Sequence, residues 1–127
     1  MNDEDLIIPE IAGLQQHQLL LKKVENRIKE VGPKLTQYKV DRANAKSVYD
    51  DLLSSARIEA IVKHNLKASN QTIINAYAST DSDVKIAKQD WLLKKALETK
   101  AKDRLDQLQS QRDTLKALVK SEHNSYF

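Results

Sequence analysis

No cysteine occurs in this chain, and glycine and proline occur only twice each. The first absence removes disulfides, thiol chemistry and cysteine-based zinc sites together. The scarcity of the two helix breakers, with aromatics at 5% of residues, suits long helices and disfavours strands. With only Gly13 and Gly32 available, no glycine-rich phosphate loop exists. No run approaches the roughly 18 consecutive apolar residues that a membrane-spanning helix needs. The opening Met1-Asn2-Asp3-Glu4-Asp5 is acidic where a secretory signal would be basic. These features predict a soluble, cytoplasmic protein without membrane contact.

What the chain does have is helical periodicity. Residues 81–122 contain no Gly and no Pro, and Val84, Ala87, Trp91, Leu97, Ala101, Leu105, Leu108, Leu115 and Val119 recur at helical spacing among Lys, Arg, Asp and Gln. That pattern predicts one long amphipathic helix over 82–122. At about 1.5 Å per residue it is too long to be covered by a compact globule, so it must lie against another long helix or another copy of itself.

The partner is legible upstream. Pro9 is placed to open a helix with Glu10 in its first turn, and residues 1–8 are expected to be flexible. Leu14, Leu21 and Ile28 then repeat every seven residues, with His17, Val24 and Val31 three places after each, which is a coiled-coil seam. Gly32-Pro33 interrupts the composition but not the register: Leu35, Arg42, Tyr49 and Ala56 continue one row, and Tyr38, Ala45 and Leu52 the other. A kink at Gly32-Pro33 inside a continuing helix over 9–66 explains a kept register better than a turn does. Lys67 to Gln71 offers a break with Ser69 or Asn70 as N-cap, a short helix is expected over 70–78, and the run Ala78-Ser79-Thr80-Asp81-Ser82-Asp83 marks the clearest boundary. The predicted fold is one all-α domain: two antiparallel long helices, the first kinked, joined through a short helix into a helical hairpin that oligomerises.

Catalytic chemistry finds little material. His17, His64 and His123 are isolated from each other and from any Glu at the three- or four-residue spacing of helical metal sites. His17, at a seam position, reads as a register- or oligomer-specifying residue. Asp81-Ser82-Asp83 lacks the further oxygen ligands and turn glycine of a calcium loop and reads as an N-cap. Asp50 and Asp51 are adjacent and point about 100° apart on a helix, so they form no acid–base pair. The expectation is a non-enzymatic protein without metal or cofactor.

The formal net charge is only +3, yet it is unevenly spread. An acidic lead (Asp3, Glu4, Asp5, Glu10) precedes a stretch from Lys22 to Lys46 with eight bases against three acids, and from Lys85 to Arg104 seven bases face three acids. Lys22, Lys29 and Lys46 lie outside the seam, and Lys39, Arg42 and Lys46 form a ladder beside Tyr38 and Tyr49. Phosphates bind such ladders, and tyrosine faces stack on single-stranded bases. The plain alternative is a solvated helix face with both tyrosines in the core. In the second long helix, Trp91 and Leu105 share a row with Glu98 and Arg112, while Lys94, Ala101 and Leu108 occupy the other and Lys94 and Glu98 stand at pairing distance. Charges at seam positions specify partners, so Trp91, Lys94, Glu98, Leu105, Leu108, Arg112 and Leu115 are expected to form the assembly surface.

Asp81-Ser82-Asp83-Val84, Trp91, the run Leu105-Asp106-Gln107-Leu108-Gln109-Ser110-Gln111-Arg112 and Leu115-Lys116 follow a long basic helix containing Ala45-Lys46-Ser47-Val48-Tyr49. In this ordering the chain resembles the UvsY-type recombination mediators of tailed phages, chiefly in its C-terminal half. The resemblance implies a closed homo-oligomer in the host cytoplasm that binds single-stranded DNA and loads a RecA-like recombinase onto strands covered by single-strand-binding protein. Nucleic-acid contacts are then expected from Lys22, Lys29, Lys39, Arg42, Lys46 and Tyr49. The competing expectation is a coiled-coil scaffold, adaptor or prefoldin-like chaperone that binds no nucleic acid.

Overall fold

The protein is described by a computed structural model covering residues 13–126. It is all-helical: α1 spans Leu14–His64, α2 spans Gln71–Ala78 and α3 spans Ser82–Tyr126. The two long helices and the short one between them form the predicted hairpin, with no strand among the described residues. The expected flexible lead at 1–8 and helix start at Pro9 lie outside those residues. Gly13 caps the first described turn, its carbonyl accepting from the His17 amide at 3.1 Å.

Pro33 stands inside α1 without breaking it. Proline removes one amide donor and crowds the residue before it. That residue is Gly32, which has no Cβ to clash and holds an ordinary negative φ. The Thr36 hydroxyl donates to the Gly32 carbonyl at 3.3 Å. α1 ends at His64, two residues before the expected Leu66, because Asn65 adopts a left-handed conformation with φ 50°. The Leu66 amide then reaches back to the Ile61 carbonyl at 3.1 Å, the Schellman closure of a helix C-terminus. Asn70 holds the N-cap position of α2 without a side-chain capping bond. The boundary before α3 is tighter: Asp81 Oδ1 accepts from the amides of Asp83 at 2.9 Å and Val84 at 3.2 Å. That N-cap is the role expected of Asp81, and α3 runs four residues past its predicted end at 122.

The chain divides into two compact units, one formed by residues up to Thr36 with those from Lys100 onward, the other by Gln37–Thr99. In the first, Val24 and Val31 of α1 meet Leu108 and Leu115 of α3, with Leu20, Leu21, Ile28 and Leu105 packed around them. Val24, Leu108 and Leu115 are fully buried. His17 is buried in the same seam, its Nδ1 at 2.5 Å from Glu122 Oε1 of α3, so the polar seam residue meets its partner within the chain. In the second unit, Ala56, Ala78 and Val84 bring all three helices together, flanked by Tyr49, Leu52 and Leu53. Arg57 Nε donates to Asn75 Oδ1 at 2.8 Å and the His64 and Tyr77 rings stack at 3.8 Å, fixing α2 against α1.

Two stability outcomes follow from these seams. Pro33→Ala restores a helical donor at an exposed position and should raise the unfolding free energy by about 1–3 kcal/mol in urea titrations. Leu108→Ala opens a cavity at a fully buried site and should lower it by about 2–5 kcal/mol.

Candidate nucleic-acid interface

Within Gln37–Thr99 polar and aromatic contacts join α1 to α3 beside the small apolar core. Arg42 of α1 pairs through Nε with Glu98 of α3. Two turns along α1, the Tyr49 ring stacks on the Trp91 ring of α3 with centroids 5.6 Å apart and planes 11° from parallel. Both rings are half-buried. Lys46 Nζ lies 4.5 Å from the Trp91 centroid and 5.1 Å from that of Tyr49, and Lys95 Nζ lies 5.6 Å from Trp91. Cations from both helices therefore converge on one aromatic pair, each within cation–π range.

Helical spacing extends this cluster into a face. Lys39 precedes Lys46 by seven residues on α1 and Lys88 precedes Lys95 by seven on α3, so each pair projects from one side of its helix. Lys39, Lys88 and Lys95 are exposed. Lys46 is half-buried and also contacts Asp50 Oδ1 at 2.8 Å. The arrangement is a cationic ridge along the hairpin with an aromatic pair set into it. It supplies charge for phosphates, whereas the Tyr49 and Trp91 faces are turned to each other and to Lys46 and Lys95.

The expected site residues distribute as follows. Lys22 and Lys29 are exposed but belong to the unit ending at Thr36, so the expected basic ladder is shared between two units. Lys39, Lys46 and Tyr49 meet in the ridge, whereas the Arg42 guanidinium is held by Glu98 inside the seam. Trp91, expected at an assembly surface, is the ring that Lys46 and Lys95 cover. The expected Lys94–Glu98 pair is replaced by two others: Lys94 Nζ lies 3.6 Å from Asp90 Oδ1, and Glu98 serves Arg42. An acid one turn before a base is the better order on a helix, which favours Asp90–Lys94. Leu105, Leu108 and Leu115 pack into the seam of their own chain, and Arg112 Nε lies 3.3 Å from Asp113 Oδ1.

Lys88 and Lys95 are not among the expected contact residues. Their signal was present in their spacing from Trp91, three residues before it and four after, which brackets the ring on one helix face. Among the described residues no group of three His, Asp or Glu side chains is placed to hold a metal ion, and no helix is long and apolar enough to cross a membrane.

A double-mutant cycle tests the seam pair. Arg42→Ala and Glu98→Ala should couple by roughly 1–2 kcal/mol in unfolding free energy, because each single variant leaves the other charge without its partner, the largely shielded Glu98 in the first and Arg42 in the second. Compared with family models, with curated proteins and with solved structures, the chain matches none.

Proposed function

We propose that this protein is a non-enzymatic, single-stranded DNA-binding recombination mediator that acts as a homo-oligomer and assists loading of a RecA-like recombinase onto strands covered by single-strand-binding protein. The observation that carries the reading is the convergence of Lys46 and Lys95 on the Tyr49–Trp91 stack, with Lys39 and Lys88 in line. Such a ridge engages phosphates without sequence preference, which is the recognition a mediator needs. The resemblance of the C-terminal half to UvsY-type mediators adds the recombinase and the cytoplasmic setting. Weak ridges repeated around an oligomer bind one strand far more tightly than any single copy, through effective concentration. The second reading, a coiled-coil scaffold, adaptor or prefoldin-like chaperone, is favoured by exposed apolar side chains such as Val48, Ile86 and Leu93.

A salt titration separates the two. Binding of a labelled oligothymidylate, read by anisotropy, should weaken linearly in log salt with a slope of about 0.7 per phosphate neutralised. Joint replacement of Lys39, Lys46, Lys88 and Lys95 by Gln should lower affinity at least tenfold and flatten that slope, with the oligomer mass unchanged. Arg42 is left in place because it holds the seam. Absence of binding at low salt eliminates the mediator reading and leaves the scaffold.

A further inference from the structure

Among the described residues, ten of the eleven large hydrophobics that stay exposed lie in Gln37–Thr99, the exception being Leu19. The surface that lacks an apolar partner therefore belongs to that unit. Part of it is concave. Val48 and Leu52 of α1 and Ile86 and Ala87 of α3 line a groove whose rim carries Asp83 and Asp90. Val48 is 54% exposed and Ile86 64%. Leu93, seven residues after Ile86, continues the α3 side at 56% exposure, and Leu97 follows one turn later.

This groove lies away from the cationic ridge. On α3, Lys95 stands two residues from both Leu93 and Leu97, about 200° around the helix from each. Its charge also has the opposite sign. Asp83 and Asp90 edge it, and Asp51 is exposed one turn after Val48 on α1. The base near them is Lys94, which lies 3.6 Å from Asp90 and offsets that carboxylate alone.

We propose that this groove is the docking site for an amphipathic helix of a second protein, with an apolar stripe flanked by lysine or arginine. A furrow between two antiparallel helices accepts a third helix by the same ridge-and-groove fit that joins the first two. Val48, Leu52, Ile86 and Ala87 supply the apolar floor and Leu93 extends it along α3, while Asp51 and Asp83, with Asp90 already offset in part by Lys94, select cationic flanks. The choice of a foreign basic helix over another copy rests on this charge complementarity. The inference does not depend on nucleic-acid binding, because the ridge and the groove use different side chains.

The test uses the full chain and two labelled synthetic helical peptides with leucine at every a and d position. One carries lysine at the flanking e and g positions and the other glutamate. At physiological salt the lysine peptide should bind saturably and the glutamate peptide at least tenfold more weakly. Ile86→Gln and, independently from the α1 side, Val48→Gln should each weaken the lysine peptide about tenfold while helix content and the urea unfolding midpoint stay constant. Asp83→Lys with Asp90→Lys should invert the preference. Equal binding of both peptides, binding of neither, or a preference that survives the charge reversal overturns the proposal. So does sedimentation in which Ile86→Gln dissociates an oligomer formed by the native chain, since a second copy would then fill the groove.

Discussion

Two helices of 51 and 45 residues are held together here by a seam that is one side chain deep. Hydrophobic residues make up 40% of the chain, with leucine and alanine the commonest of them. The constraint on everything else is therefore register. A slip of one residue would turn Val24, Leu108 and Leu115 toward water, and no second layer would compensate. Polar and aromatic seam residues reinforce the alignment. His17 meets Glu122, Arg42 meets Glu98, and Tyr49 meets Trp91. Each contact pairs a side chain of α1 with one of α3 and so adds to the register that burial imposes.

How much of this was legible in the sequence depends on the range of the interaction. Heptad rows are local, and they located α1 and α3 and carried the seam across Pro33. The Asp81 cap was legible for the same reason, since its two amide donors lie two and three residues away. What was not legible was partner choice. Lys94 has carboxylates four residues away on both sides, at Asp90 and Glu98, and only the arrival of Arg42 from another helix removes one of them. The aromatic pair is likewise split by a local reading, Tyr49 falling to nucleic acid and Trp91 to assembly, because nothing local says that two rings 42 positions apart stack on each other. Asn65 shows a smaller version of this gap. Its left-handed backbone ends α1, yet asparagine permits that conformation without requiring it.

The hairpin in Gln37–Thr99 is asymmetric across its width. Lys39, Lys46, Lys88 and Lys95 occupy one flank, while Asp51, Asp83 and Asp90 border an apolar groove on another. A single pair of helices thus presents two surfaces of opposite charge. Because both are built on the same rigid elements, their separation is set by helix geometry and not by a linker. Occupation of one flank leaves the side chains of the other in place, which is the condition for holding two partners at once.

Trp91 is the single tryptophan of the chain, and it stacks on Tyr49 inside one of the two units. Its emission therefore reports on Gln37–Thr99 alone, whereas the peptide circular dichroism of α1, α2 and α3 sums over both units. Where the two signals are lost together, the long helices act as one cooperative body. Where they part, the difference measures how far a helix shared by two units can come undone at one end while staying zipped at the other.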